Sequence, residues 1–285
     1  MKNKHLVLKI FVMILSVNAF AIIDGKPATT NDSQRYSSYI TITDTRSNAG
    51  GLHIGKGLIL TAAHIFYGFY ESSPGYQSKM LLHTSNGGLL GGFTYTGANQ
   101  IIKIESKSSF IDGNGFQIQT PDLAILVPPL EIRKQIIKEI PVAHIYNGTN
   151  KISKKAVYQL IGIGDIDFAY SKNPSPKKMN TLRPHPHLGN FCLIANSEYN
   201  TEYTFSTEYS ASKGCAAGGS GDSGSALWVS ESAKDQPQVI GIAHLQIPPD
   251  ATDTGIGETI FTRIDHPDVQ TWIKNILKNL NSRKK

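Results

Sequence analysis

Residues 218–228 read GGSGDSGSALW, and four glycines crowd one serine, Ser223. Glycine lets backbone amides come close to a bound group. A serine ringed by such amides suits acyl transfer, because the N–H groups can hold an oxyanion. The stretch is not the G-x-S-x-G elbow of the α/β-hydrolases, since the window centred on Ser223 is GDSGS and its fifth residue is Ser225. A plain Gly/Ser turn would use the same residue types, so the serine needs partners before it acquires a role.

A serine hydroxyl is a weak nucleophile and requires a base. Upstream, GKGLILTAAHI places His64 directly after a strand-like apolar run. The base in turn needs a carboxylate to fix its tautomer. In DLAILV, Asp122 heads another apolar strand, where aspartate is disfavoured unless it serves a turn or a function. Alone, His64 reads as a structural histidine and Asp122 as a turn residue. Together they run in the chain order His, Asp, Ser.

The rest of the sequence is consistent with a β protein. There are 26 glycines and 14 prolines, and the apolar runs are short. Strands are expected at YSSYITITD, GLHIGKGLILTAA, KMLLHTS, QIIKIES, DLAILVPP, AVYQLIGIG, NFCLIAN, SALWVS, QVIGIAHL and ETIFTRI. Helical spacing appears only at the end, in Val269, Trp272, Ile273, Ile276, Leu277 and Leu280, behind Pro267. Residues 129–155 look least structured and could join two halves.

Residues 1–21 hold a basic start, an apolar core and small residues ending in Ala19-Phe20-Ala21, the pattern of an export signal. Val17 and Ala19 offer an earlier cut. The apolar core is too short to span a bilayer, and no later stretch resembles a membrane helix. Lys2, Lys4 and Lys9 lie in this segment, so the 28 basic side chains fall to 25, against 22 acidic ones. The remaining basic residues are scattered, which argues against a nucleic-acid surface. Cys192 and Cys215 could form one disulfide in an exported protein or stay as two thiols.

These stretches resemble the trypsin/chymotrypsin-like serine endopeptidases, in a secreted, bacterial-looking form poor in cysteine. The matching segments are IIDG at 22, LTAAH at 60, DLAIL at 122, GIG at 162, GDSGSAL at 221, VIGI at 239, FTRI at 261 and the terminal helix with Trp272. The resemblance implies an all-β fold of two packed six-stranded antiparallel barrels with a C-terminal helix. It divides the chain into a signal peptide over 1–21 and a peptidase domain over 22–285. Barrel one would cover about 22–135, barrel two about 150–264, and the helix about 266–280. It implies His64 as base, Asp122 as its orienting carboxylate, Ser223 as nucleophile and the Gly221 and Ser223 amides as oxyanion hole. It also implies an activating ion pair between a freed Ile22 ammonium and Asp222. A cut after Ala21 would then export the protein and expose that terminus at once.

For specificity the resemblance points to Ala217 and Gly218 at the pocket base, with His244, Leu245 and Gln246 on one wall and Thr259 on another. None of these supplies a negative charge, and an unpaired buried cation is costly. Small or medium apolar residues are therefore expected before the scissile bond, rather than Lys or Arg. A glutamyl-specific enzyme using His244 and Thr259 is an alternative, and so is a protease-like binding or adhesion protein with little turnover. The family's cystines are missing where Ala49, Ile65 and Gly219 stand, and His244 replaces a serine that contacts the aspartate in relatives. No cofactor and no metal is called for. IDGNGF at 111–116 lacks the glutamate of a calcium loop, and His185-Pro-His187 has no further ligands nearby. The expected partners are protein or peptide substrates, with no nucleic acid and no membrane span, and a monomer located extracellularly or in a periplasm.

Overall fold

The computed structural model describes residues 22–282 except 45–47, 67–77, 98–99, 112–116, 149–151, 165–185, 220, 233 and 248–256. The export-signal segment, the IDGNGF loop beyond Ile111, and His185 lie outside these residues. So does most of the Pro-rich stretch that follows GIG.

Two antiparallel sheets make up the chymotrypsin-like fold. The first contains β2 (Tyr39–Thr43), β3 (Asn48–Gly55), β4 (Leu58–Thr61), β5 (Ser78–Thr84), β6 (Leu89–Tyr95), β7 (Ile101–Lys103) and β10 (Ala124–Leu126). Its order is β6-β5-β2-β3-β4-β10-β7. It curls into a half-barrel, and among the described residues its two end strands do not pair. A small hairpin, β8 (Ser108–Ile111) with β9 (Gln117–Thr120), stands apart.

The second sheet contains β11 (Val157–Gly162), β12 (His187–Ile194), β13 (Thr204–Glu208), β14 (Ala226–Ser230), β15 (Gln238–Ile247) and β16 (Glu258–Arg263). The pairing of β13 with both β16 and β12 closes these six strands into a barrel. The short β1 (Lys26–Pro27) adds to β12, so the start of the described chain belongs to the second sheet.

The strands read as continuous apolar runs because both of their faces are covered. In β4, Leu58 and Leu60 join the core between the sheets, with Tyr36, Tyr39, Leu123, Ala226 and Trp228. Ile59 points the other way, into the first sheet's own core with Ile40, Phe66, Leu82 and Leu126. The closed barrel is filled by Ile22, Leu160, Phe191, Leu227 and Phe261. The terminal helix, α3 (Pro267–Ser282), buries Val269 and Ile273 against the central core, as its spacing predicts.

Local patterns missed several elements. The stretch expected to be least structured contains α2 (Leu130–Glu139), a helix that packs on β6. It buries Ile136 fully and rests Ile132 on the sheet, a spacing too brief to announce a helix. Strand β6 was hidden by Gly91 and Gly92. A Cβ on Gly91 would sit 2.4 Å from Ile132 Cδ1, so the glycine makes room for the helix. Strand β13 reads TFSTE, yet Thr204, Ser206 and Thr207 are buried and their apolar pattern is absent. Hydrogen bonds replace it: Thr204 Oγ1 donates to Tyr199 O at 2.6 Å, and the hydroxyls of Ser206 and Ser197 share a hydrogen bond at 3.1 Å. A one-turn helix, α1 (Thr30–Arg35), is closed by a capping box between Thr29 and Asp32. Among the described residues no helix is long and apolar enough to cross a membrane.

Candidate active site

Strand register brings the first two site residues together. β10 runs antiparallel to β4 with Ala124 opposite Thr61. Asp122 lies two residues before Ala124 and His64 three residues after Thr61, so the head of one strand meets the tail of the other. A 3-10 turn from His64 to Phe66 follows and anchors on buried Phe66. Asp122 Oδ1 accepts the His64 backbone N–H at 2.9 Å, and Oδ2 accepts the ring Nδ1–H at 2.6 Å. A carboxylate only accepts, so Nδ1 carries the proton and Nε2 is left as an acceptor.

The third residue comes from the other sheet. Ser223 sits in the tight turn ahead of β14, and its hydroxyl lies 2.8 Å from His64 Nε2. The two sheets touch here backbone to backbone. Gly50 N–H in β3 donates to Ser223 O at 2.8 Å, and a Cβ on Gly50 would lie 2.2 Å from Ser225 Oγ. Gly224 has φ +81°, and a Cβ there would fall 2.1 Å from Thr61 Oγ1. Both positions tolerate only glycine for steric reasons. The glycine crowd around Ser223 was legible in the sequence. Gly50 was not singled out, although a Gly-Gly pair inside a strand signals close approach.

The turn is braced from below. Buried Asp222 accepts N–H groups from Gly164 and Gly219, each at 2.7 Å. Asp222 N–H, Gly224 N–H and Ser225 N–H also donate within the loop or to β15. Among the described residues the amides of Gly221 and Ser223 are not donors in this bracing, and Gly221 has φ +96°. Ile22 is fully buried beside Gly25, Gly189 and Ala216, and Ile23 exchanges two backbone hydrogen bonds with Ala217 at 3.0 and 3.3 Å.

The remaining candidates fall into two places. Ala217 and Gly218 are buried, and Gly218 N–H donates to Thr259 Oγ1 at 3.0 Å. Gln246 pairs with Thr259 across β15 and β16, with Leu245 beside it. His244 departs from this wall. A β-bulge between Ala243 and Leu245 interrupts the register there, and His244 Nε2 lies 3.4 Å from Asp122 Oδ2. Its ring stacks on that of His64 with centroids 5.8 Å apart. The Cys192–Cys215 disulfide is formed, with S–S 2.01 Å, and ties β12 to the residue next to Ala216.

Charge and burial set the protonation states. Burial pulls the His64 imidazole down, but the charge and hydrogen bond of Asp122 outweigh it, so its pKa stands above the ordinary value of 6.5. Burial would raise Asp122, yet the two imidazoles and the His64 hydrogen bonds hold it below its ordinary value. Burial depresses His244 to about 4, against the pull of Asp122.

Ligand atoms of His64, Asp122 and His244 all lie within 4.8 Å of one another. Two ligands on one tetrahedral zinc would be about 3.3 Å apart at its usual bond lengths. The 2.6 Å between His64 and Asp122 is instead the spacing of a shared proton.

A family model described as trypsin matches residues 22–273. A solved structure titled as the atomic resolution structure of HBP is similar to this chain at TM-score 0.54 and 15% identity, over 90% of this chain and 97% of that one. At that identity the likeness speaks for the fold. No curated protein matches the chain.

Proposed function

The chain belongs to the trypsin family, and from that premise we propose that it is a secreted serine endopeptidase that does not select Lys or Arg. The observation that carries the reading is the unbroken chain of hydrogen bonds from Asp122 through His64 to Ser223, at 2.6 and 2.8 Å.

In the proposed reaction Ser223 Oγ attacks the scissile carbonyl while His64 Nε2 takes the hydroxyl proton. Asp122 stabilises the imidazolium without taking the proton itself. The carbonyl oxygen becomes an oxyanion between the amides of Gly221 and Ser223. Collapse of the intermediate breaks the C–N bond, and His64 returns its proton to the leaving amine. Water then attacks the acyl-enzyme with His64 again as base, releasing the acid and restoring Ser223.

The ready state rests on Asp222. In the proposed mature protein the chain starts at Ile22, and its ammonium reaches Asp222, whose carboxylate is buried beneath the nucleophile. Full burial of the Ile22 side chain supports this, since it anchors the terminus in the barrel core.

For specificity, Ala217 and Gly218 line the base without charge. Glu258 neighbours Thr259, but successive strand residues face opposite sides, and Glu258 instead accepts a hydrogen bond from Ser197. A glutamyl-specific reading would use His244 as the ligand for a substrate carboxylate. Its imidazole is buried against Asp122, which favours the apolar reading.

A fluorophosphonate probe is expected to label Ser223 and to leave folded Ser223→Ala unlabelled. Unlabelled wild type would favour the binding-protein reading. The same exported material should begin at Ile22, and its peptide-library profile should favour small or medium apolar residues before the cut. A profile dominated by Arg or Lys would remove the specificity claim.

A further inference from the structure

The segment from Ile22 to Gly25 carries a residue that its backbone does not favour. Gly25 N–H donates to Ile22 O at 2.8 Å and closes a tight turn. Asp24, at the third position of that turn, has φ +57°. Glycine or asparagine fills such a left-handed position with least strain. The aspartate is exposed, yet its side chain is engaged. Tyr209 Oη–H donates to Asp24 Oδ2 at 2.8 Å, across 185 residues of chain.

Tyr209 sits where β13 runs out into the loop that leads to Ala217, Gly218 and the Ser223 turn. Its own N–H donates to Gly257 O at 2.8 Å, just ahead of β16. The next residue, Ser210, exchanges backbone hydrogen bonds with Cys215 at 3.0 and 2.9 Å, and the disulfide ties Cys215 to β12. Two residues further on, Ala217 exchanges its bonds with Ile23. The loop is thus closed on itself between Ser210 and Cys215. The first residues of the described chain grip it at both ends, through a side chain at Tyr209 and through backbone at Ala217.

We propose that Asp24 and Tyr209 are a positioning pair, a hydrogen-bonded latch that keeps the start of the mature chain seated and so holds the 209–217 loop in place beside the Ser223 turn. The proposal rests on the reading that the mature chain begins at Ile22. The latch uses other atoms than the contact between the Ile22 ammonium and Asp222, and it does not need the charge of that ammonium.

Its chemistry suits the task. An α-amino group ordinarily loses its charge at about pH 8. Burial and the hydrogen bond to Asp24 push the Tyr209 hydroxyl up to about 12, so it remains a donor while the ammonium titrates. Among the described residues Asp24 is the charged group acting on that hydroxyl, and neighbouring Glu208 is paired with Lys213 at 2.6 Å. Pairing with Asp222 favours the charged form of the terminus and raises its pKa. Seating is therefore complete below the ordinary value and is lost as pH rises through the raised one. A latch that strengthens seating moves this alkaline limb upward.

The test uses the mature protein with Tyr209→Phe, Asp24→Asn, Asp24→Gly and the double variant Asp24→Gly/Tyr209→Phe. Phe keeps the ring and removes the donor. Asn suits the left-handed backbone and keeps an acceptor. Gly relieves the backbone and removes the acceptor. Hydrogen exchange of the Ile23 amide, which bonds Ala217 O, is followed in each on a Ser223→Ala background. Tyr209→Phe and Asp24→Gly should each speed it about fivefold, the effect of one hydrogen bond. The double variant should be no faster than either single one, since both remove the same contact. Asn should stay within about twofold of wild type, because the bond survives. The Tyr146 amide, bonded to Val239 O on β15, should exchange at the wild-type rate throughout. With Ser223 restored, the alkaline limb of kcat/KM should fall by about 0.7 unit in Tyr209→Phe and Asp24→Gly, which is the same fivefold loss. The acid limb should stay in place. The proposal fails if Ile23 exchanges at the wild-type rate in Tyr209→Phe, if the Tyr146 amide quickens equally, if Asn behaves like Gly, or if the alkaline limb does not move. Hydrogen exchange needs no turnover, so its result stands apart from whether Ser223 is labelled. N-terminal sequencing of the same material separates a failed latch from a chain that starts elsewhere.

Discussion

In the proposed reaction His64 must be neutral before it can accept the Ser223 proton, and its surroundings determine the pH at which that holds. Asp122 raises its pKa above 6.5 against the opposing effect of burial. Activity should therefore fall on the acid side through a limb that lies above 6.5, since protonated His64 has no acceptor nitrogen. A kcat/KM profile with its acid limb below 6.5 would contradict this. The same shift acts on stability in one direction. A histidine whose folded pKa is raised contributes stability that is complete below its unfolded value and is lost as pH rises through the folded one. At this scale the sequence was informative, because residue type states chemistry directly. An Asp at a strand head and a Ser among glycines could be noticed without coordinates. The direction of the His244 side chain could not. Its place matches a serine that contacts the aspartate in relatives, but nothing in AHLQ announces a bulge, so His244 also read as part of a pocket wall.

Between elements, the close approach of β3 to the turn ahead of β14 holds the two halves of the site together. Gly50 donates to Ser223 O, and Thr61 Oγ1 donates to Gly50 O at 2.7 Å. Gly50→Ala would push a methyl group into the backbone and side chain of Ser225, where the nearest atoms would be only 2.2–2.6 Å away. Overpacking of this kind typically costs about 1–3 kcal/mol. The sheets would have to part by a fraction of an ångström at the Ser223 turn. Gly50→Ala should therefore lower the urea midpoint and slow fluorophosphonate labelling at Ser223 by more than tenfold. Gly88→Ala, at the exposed β5–β6 turn, serves as the comparison and should leave labelling unchanged. Equal labelling rates in the two variants would mean that this contact does not set the catalytic geometry. Sequence patterns were weakest at this level. The helix α2 carries too few periodic apolar residues, and β13 replaces apolar burial with hydroxyl hydrogen bonds, so neither gave a hydropathy signal.

Across the whole molecule, buried histidines link pH to the packing of the two halves. His53 in β3 donates Nδ1–H to Ile140 O at 2.8 Å, and its Nε2 accepts Gly57 N–H at 3.2 Å, which only the neutral ring can do. Its backbone carbonyl also accepts Ala143 N–H at 2.8 Å, so it pins the connector that leaves the first sheet. Burial depresses the His53 pKa, and His244 is depressed to about 4. As pH falls below 6.5 the unfolded chain gains protons that the folded one refuses, so stability drops until the folded values are reached. The urea midpoint should decline from pH 6.5 toward 4, with His64 opposing the trend near the top of that range. His53→Gln should flatten the decline, since an amide supplies a donor and an acceptor without titrating. An unchanged slope in that variant would exclude His53 as a source. The fold class and the His64, Asp122 and Ser223 set could be read from the chain, because apolar strands, a terminal amphipathic helix and chemically distinctive residues are local signals in a fixed order. The closure of the second barrel through polar β13, the open edge of the first, the glycine contact between sheets and the turning of His244 onto Asp122 became visible only in three dimensions. The barrel closure and the glycine contact join residues far apart in the chain, such as Thr204 with Thr262 and Gly50 with Ser223, and the direction of His244 depends on a bulge, set by packing that no local stretch encodes.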